Sequence, residues 1–131
     1  SIPMTDNYCQ TFPEVKAYYD RIRQPVIKYG KNVERLDALE AIDRYEPDVV
    51  IGSWVTHWVD PLVEELPDGG GNVYGIKEDE ILKRVRAYIV IGSKQIHGTK
   101  LITRHPHETY EFPWLKSRRA DNVIYVWRNT G

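Results

Sequence analysis

Acidic and polar side chains follow three predicted strands of this chain, at the points where those strands end. Asp6 and Asn7 follow the first of them, Asp37 follows the second, and Ser53 and Trp54 close the third. In open α/β sheets ligands bind beyond the carboxyl ends of the strands, where an acidic side chain accepts hydrogen bonds from ribose hydroxyls. The three strand ends therefore predict one ligand crevice.

The same carboxylates also have a purely structural explanation. Asp37 is placed to cap a helix that begins at Ala38, and Asp6 is placed to close a turn. Residue spacing alone does not choose between capping and ligand binding, so the sequence leaves both interpretations open.

Four histidines and one cysteine are the other side chains that could carry chemistry. The histidines contain no His-Glu-x-x-His pattern, and His105 and His107 flank a proline instead of sharing a helical face. Cys9 has no partner cysteine and no nucleophile motif around it, and the chain has no Gly-x-Ser-x-Gly elbow. The sequence therefore predicts no metal site and a structural role for Cys9.

The elements that position these groups are predicted from hydrophobic periodicity. From Asn32 to Trp54 the pattern predicts a strand at Val33–Leu36, a helix at Asp37–Tyr45 and a strand at Asp48–Trp54, which together indicate a β-α-β unit. The uninterrupted apolar run of the last strand is typical of a strand buried on both faces, as in a parallel sheet. Further elements are predicted as a strand at Ile2–Thr5, helices at 13–24 and 78–86, apolar strands at Ala87–Ile91 and Asn122–Trp127, an extended piece at 108–112, and short helical turns at 62–66, 98–103 and 113–118.

Composition limits the domain count and the class of protein. A chain of 131 residues predicts one domain, residues 1–131. Eighteen basic and nineteen acidic residues give a formal net charge of -1, which indicates no bulk attraction to nucleic acid or anionic membranes. No apolar run approaches the roughly 20 residues of a membrane span, and the amino terminus lacks a signal-peptide pattern. With a single cysteine, these features predict a cytoplasmic protein.

Three segments of the chain resemble the class I S-adenosylmethionine-dependent methyltransferases. They are Thr5-Asp6-Asn7, Leu36-Asp37-Ala38 and Pro47-Asp48-Val49-Val50-Ile51-Gly52-Ser53-Trp54. Tyr88–Gly92 and Asn122–Trp127 look like the fifth and final strands of that family. The resemblance implies an α/β fold, a three-layer Rossmann-like sandwich with a mostly parallel sheet, and it implies S-adenosylmethionine as cofactor.

The resemblance also implies a role for each strand end. The acid after the family's second strand binds the cofactor's ribose, which corresponds to Asp6 with Asn7 beside it. The residues after the third strand contact adenine, which corresponds to Asp37 and Ala38. The residues after the fourth strand line the methionine and substrate pocket, which corresponds to Ser53 and Trp54.

The chain departs from the family in two places. It has no counterpart of the family's first strand and Gly-rich loop, since nothing before Asp6 supplies them. Its Gly52-Ser53-Trp54-Val55 also departs from the Asp/Asn-Pro-Pro-aromatic motif of the amino-group methyltransferases. We therefore expect a C-terminal part of a longer methyltransferase, a rewired sheet, or a second chain that fills the empty strand position.

The predicted function is methyl transfer from S-adenosylmethionine to an acceptor that the sequence does not identify. If the reaction needs a general base, His57, beyond the strand that ends at Ser53, is the candidate, and His97, beyond the next strand, is the second. One alternative is a non-catalytic interaction protein on a degenerate methyltransferase-like scaffold. Another is a nucleotide-binding hydrolase or transferase that uses the glycine loop at 69–71, which lacks a Gly-Lys-Ser/Thr ending.

Partner expectations follow from the missing strand. A sheet that lacks a central strand exposes unpaired backbone groups, and such edges recruit other strands. The sequence therefore predicts a homodimer through an exposed strand edge, in addition to a small-molecule cofactor.

Overall fold

The computed structural model describes residues 2–60, 73–98, 100–115 and 121–129. The chain divides into two compact units, Ser1–Glu46 and Pro47–Gly131, called here the first unit and the second unit. The predicted turn at 62–66 and the glycine loop at 69–71 lie outside the described residues.

The first unit is built on a pair of parallel strands. Strands β1 (Met4–Asp6) and β2 (Val33–Arg35) pair in parallel, with helix α1 (Pro13–Arg21) between them along the chain. Helix α2 (Ala38–Tyr45) follows β2, and a short 3-10 helix, Cys9–Thr11, precedes α1. The buried apolar side chains of this unit are few: Val15, Leu36 and Ile42.

Local sequence signals explain where α2 begins and ends. The Asp37 side chain caps its first turn, and Glu46 ends it in the left-handed conformation directly before Pro47. Arg44 lies in its last turn, where a cation favours the helix dipole.

The second unit holds a four-stranded mixed sheet in the order β3-β4-β6-β5. Its strands are β3 (Val49–Ser53), β4 (Ala87–Ser93), β5 (Glu108–Tyr110) and β6 (Asn122–Arg128). Strands β3 and β4 are parallel, whereas β6 is antiparallel to both of its neighbours. The other elements of this unit are α3 (Glu78–Arg84), α4 (Lys94–His97) and a 3-10 helix at Leu101–Arg104.

The core of the second unit lies on β4 and β6 and the elements packed on them. Its fully buried side chains include Tyr88, Val90, Ile81 and Val123. The indole of Trp127 is also buried and donates to the carbonyl of Ile102 at 3.1 Å.

The predicted mostly parallel Rossmann-like sandwich is wrong. The described strands form two sheets, and two of the three strand pairs in the larger sheet are antiparallel. The predicted β-α-β unit at Asn32–Trp54 also fails, because β2 pairs with β1 whereas β3 pairs with β4. The parallel sheet was predicted from the apolar run of β3, but β3 lies at the edge of the described sheet, with Val49 and Ile51 exposed. The apolar runs of β4 and β6 belong to central strands, and a central strand is buried on both faces in an antiparallel pair as well.

Candidate functional site

The carboxyl ends of β1 and β2 bring two of the predicted ligand-binding segments together. Asp6 pairs with Arg35 in the parallel register, and the amide of Leu36 donates to the carbonyl of Asp6 at 2.9 Å. Asp37 follows Leu36 directly. Asp6 and Asp37 therefore end neighbouring strands at the same edge of the small sheet, as the sequence predicts.

Asp6 and Asn7 organise the loop that follows β1. Asp6 Oδ1 accepts from the amide of Tyr8 at 2.8 Å, and Asn7 Oδ1 accepts from the amide of Cys9 at 3.0 Å. Tyr8, which lies between Asn7 and Cys9, has a left-handed backbone with φ of 62°. The turn that sequence reasoning offered as the structural alternative for Asp6 is thus present, and a carboxylate has further acceptor sites beyond this one bond.

Two stacked tyrosines lie against this loop, and the sequence did not identify them. The rings of Tyr8 and Tyr29 are 4.0 Å apart and inclined by only 3°, and the Tyr8 hydroxyl donates to the carbonyl of Val33. The Tyr29 hydroxyl is buried and lies within interaction range of the Asp6 carboxylate. Burial, and next the charge of Asp6, raise the pKa of Tyr29 to about 12, so the hydroxyl keeps its proton at neutral pH.

Asp37 and Ala38 occupy the beginning of α2. Asp37 Oδ2 accepts from the amide of Leu39 at 3.1 Å, which is the N-cap bond. Ala38 is the first residue of the helix. The capping role of Asp37 is confirmed, and the adenine contacts of Asp37 and Ala38 stay predictions.

The second unit has its own strand-end corner, formed by the parallel strands β3 and β4. Ser53 ends β3, and Trp54 follows it with a φ of 53°, which is strained for a bulky side chain. The amide of Trp54 donates to the carbonyl of Ile91 at 2.8 Å, and its indole contacts the ring of His97 edge-on with centroids 5.4 Å apart. The indole is 45% exposed.

His97 is buried behind this indole and is held in one tautomer. Its Nδ1 accepts from the amide of Ser93 at 2.8 Å, so the proton of the neutral ring is on Nε2. Burial and then the charge of Lys100 lower its pKa to about 4, against the raising effect of backbone groups of Ser93 and Val55. Gly92 makes room for the ring, since a Cβ there would lie 2.2 Å from His97 Nδ1.

His57 lies in the same unit, in the loop after β3. It forms an isolated parallel bridge with Ile76, and the amide of Trp58 donates to the carbonyl of Ile76 at 3.1 Å. His57 also contributes to the lowered pKa of His97, which brings the two predicted general bases into electrostatic range of each other.

A buried polar network supports this corner, and sequence reasoning missed it. Lys100 Nζ donates to Glu78 Oε1 at 3.0 Å and to the carbonyl of Val55 at 3.1 Å, and the Tyr88 hydroxyl donates to Glu78 Oε2 at 2.7 Å. All three side chains are at most 5% exposed. Burial lowers the pKa of Lys100 against the opposing effect of Glu78, and burial together with Glu78 raises the pKa of Tyr88 well above its usual value.

The network fixes the backbone directly after Trp54, because the Val55 carbonyl is one of its acceptors. The members of the network are distant in sequence, so no local pattern connects them. In the sequence Glu78 is indistinguishable from an ordinary acidic residue in the first turn of a helix. The only available signal was a lysine, Lys100, followed directly by the apolar Leu101 and Ile102. The predicted site residues thus fall into two groups, with Asp6, Asn7, Asp37 and Ala38 in the first unit and Ser53, Trp54, His57 and His97 in the second.

The described part of the chain contains neither a metal site nor a membrane-spanning helix. No group of three or more histidine, cysteine or acidic side chains there could hold a metal ion. No helix in that part is both long and apolar enough to cross a membrane. Comparison with family models, curated proteins and solved structures finds no match to this chain.

Proposed function

We propose that this chain is an S-adenosylmethionine-dependent methyltransferase or the C-terminal part of one. The observation that carries the proposal is the first unit's pair of parallel strands, which end in Asp6 and Asp37 at one edge. Neighbouring carboxylates at strand ends suit a ligand with a ribose and an adenine. The resemblance assigns the same two contacts to the same two residues.

The groups around Asp6 fit a ribose. Asp6 uses one bond to the Tyr8 amide, and a carboxylate has about four acceptor sites, which leaves room for two hydroxyl donors. The buried Tyr29 hydroxyl keeps its proton and interacts with Asp6 beside it. A ribose oxygen is a further acceptor to which this hydroxyl could donate.

The resemblance assigns the methionine and substrate end to Ser53 and Trp54, which belong to the second unit. Bound S-adenosylmethionine would supply a methyl group activated on its sulfonium. Transfer then needs alignment, since the acceptor must approach in line with the breaking bond. The network of Lys100, Glu78 and Val55 holds the backbone at Trp54, so we assign Trp54 a positioning role.

Of the two histidines, we assign the proton-accepting role to His57. His97 is buried, uses Nδ1 to accept from the Ser93 amide and has its pKa lowered to about 4. Such a ring is a weak base at neutral pH. We therefore assign His97 the role of a support for the Trp54 indole.

The test is a calorimetric titration of the 131-residue chain with S-adenosylhomocysteine. We expect micromolar binding that Asp6→Asn weakens by at least about tenfold, since a hydrogen bond to a charged group contributes about 1.5–3 kcal/mol. The matched control is Asp20→Asn, which removes an exposed carboxylate of the same unit and leaves binding unchanged. Failure of the wild-type chain to bind would contradict the proposal.

A second function is favoured by one specific observation, the edge of β3. Among the described residues β3 pairs only with β4, and its Val49 and Ile51 side chains are 49% and 59% exposed. Natural edge strands are usually protected by charge, proline or a bulge. This edge instead suits pairing with a second copy of the chain, which is the function of an interaction protein.

Sedimentation equilibrium tests the dimer. We expect a dimer that Ile51→Lys converts to monomer, because a charge on the edge opposes strand pairing. The matched control is Thr109→Lys on β5, the opposite edge of the same sheet, which leaves the dimer intact. A wild-type monomer at high concentration would exclude this function.

We also propose a cytoplasmic location for this protein. Its single cysteine, Cys9, is free and half-buried. Burial, and next the charge of Asp6, raise the pKa of Cys9, so the thiol stays protonated and weakly reactive. Thiol titration of protein isolated from its natural source should find one reduced cysteine per chain.

A further inference from the structure

Three aromatic side chains form a stacked, exposed column at the end of the second unit's sheet. This aromatic column is Tyr110, Phe112 and Trp114. The Tyr110 and Phe112 rings are inclined by 5° with centroids 6.3 Å apart, and the Phe112 and Trp114 rings by 22° with centroids 4.8 Å apart. Their side chains are 39%, 37% and 67% exposed.

The column takes no part in the core. The core aromatics Tyr88 and Trp127 are at most 2% exposed, and they stack on each other. In the column, by contrast, Phe112 stacks with both of the other rings, and Trp114 keeps most of its surface in solvent. Contiguous exposed apolar surface of this kind marks an interaction site.

Cations lie beside the column. Arg128 Nε binds Glu108 Oε2 at 2.5 Å, and Glu108 Oε1 accepts from the Tyr110 hydroxyl at 2.8 Å. Lys94 forms an ion pair with Glu111. Both cationic side chains are at least half exposed, so these pairs contribute little and can exchange for phosphate.

Basic residues follow the column along the sequence. Between Glu108 and Arg119 there are two acidic residues and three basic ones, Lys116, Arg118 and Arg119. The basic residues lie outside the described part of the chain, and they follow Trp114 within five positions. The segment therefore carries an excess of positive charge although the whole chain does not.

We propose that the aromatic column binds single-stranded nucleic acid. An unpaired base continues the stack on the exposed face of Trp114, while Arg128 and Lys94 attract the phosphates. Base stacking on aromatic side chains tolerates any sequence, because every base has a flat face. In a duplex the bases are already stacked on each other, so duplex binding is weak.

The geometry argues against a proline-rich peptide as the occupant. Such peptides insert prolines into grooves between aromatic rings. Here each ring stacks on its neighbour, with centroids 6.3 Å apart for Tyr110 and Phe112 and 4.8 Å apart for Phe112 and Trp114, and neither spacing admits a proline ring.

Fluorescence anisotropy with a labelled ten-residue oligouridine tests the proposal on the full 131-residue chain. We expect binding that Trp114→Leu weakens by about tenfold or more, in line with the effect of losing one stacked base. Trp114→Phe keeps a stacking ring and should retain most of the affinity, so it serves as a second variant if the leucine variant folds poorly. The matched control is Tyr18→Leu, an exposed aromatic of the first unit, which leaves binding unchanged.

Several outcomes would overturn the proposal. Equal affinity for a duplex of the same length would show that stacking is not used. Equal affinity for the wild type and Trp114→Leu would remove the column from the site, and a proline-rich peptide that binds in a Trp114-dependent way while oligouridine does not would assign the column to peptides. None of these readouts requires S-adenosylhomocysteine, so the result is independent of the proposed methyl transfer.

Discussion

This molecule has two strand-end corners, the first at Asp6 and Asp37 and the second at Ser53 and Trp54. They are supported in different ways. In the first unit, the carboxylates of Asp6 and Asp37 accept from backbone amides only two residues further along the chain. In the second unit, Trp54 is held by groups far away in sequence, since Lys100 binds the carbonyl of Val55 across 45 residues. The first corner is therefore a local structure on a small core, and the second is part of a deep core. Polar groups that only cap a loop remain accessible to ligands, whereas buried polar groups use their hydrogen bonds to stabilise the fold.

The largest expected effect tests the support of the second corner. Lys100→Met leaves Glu78 buried without its cation, and breaking a buried ion pair in this way costs about 3–5 kcal/mol of unfolding free energy. All four tryptophans lie in the second unit, so urea unfolding followed by tryptophan fluorescence reports on this unit alone.

The matched control for that experiment is Lys83→Met. Lys83 pairs with Glu80 at 3.2 Å on an exposed helix face, and its loss should change stability by less than about 1 kcal/mol. Equal losses in the two variants would refute the buried network as the support of the corner. The double variant Lys100→Met with Glu78→Gln should regain part of the loss, because no buried charge is left unpaired.

The second effect is a pH dependence that comes from His97. Its pKa is about 4 in the folded protein and about 6.5 in the unfolded chain, so the unfolded state binds the extra proton first as the pH falls. The stabilisation of the folded state that comes from this pKa difference is fully present above pH 6.5. It is lost as the pH falls towards 4, by about 3 kcal/mol in total. The difference in unfolding free energy between the wild type and His97→Gln, measured from pH 7 to 4, should shrink by this amount. A constant difference would show that His97 titrates normally.

The third effect concerns the local support of the first corner. Asp37→Ala removes the N-cap of α2 and should cost about 0.5–2 kcal/mol, while Asp37→Ser keeps a cap and should cost only a few tenths. Hydrogen exchange of the Leu39 amide measures this loss directly. If both variants exchange equally fast, the cap does not stabilise the helix.

The smallest effect tests the strained backbone at Trp54. At an ordinary site glycine is less stable than alanine, but at a φ of 53° glycine avoids the strain that alanine retains. We therefore expect Trp54→Gly to be about 1 kcal/mol more stable than Trp54→Ala in the same fluorescence assay. The reverse order would show that the left-handed conformation is not strained.

The sequence predicted the elements better than their arrangement. The periodicity of α2 and the apolar runs of β4 and β6 are local signals, and these elements lie where they were expected. Strand direction and partner choice depend on contacts between distant segments, so the mostly parallel sheet was wrong. For the same reason Tyr29 and the network of Lys100 and Glu78 were missed, since burial of a lone tyrosine or lysine leaves no pattern in its neighbours.

The central claim is that the first corner binds ribose hydroxyls through Asp6. The most direct measurement is a titration of the wild type and Asp6→Asn with S-adenosylhomocysteine and with its 2′,3′-dideoxy analogue. We expect that removing the hydroxyls weakens wild-type binding by about tenfold or more, and that the same removal has little further effect in Asp6→Asn. Equal affinity of the wild-type chain for the two ligands would contradict it.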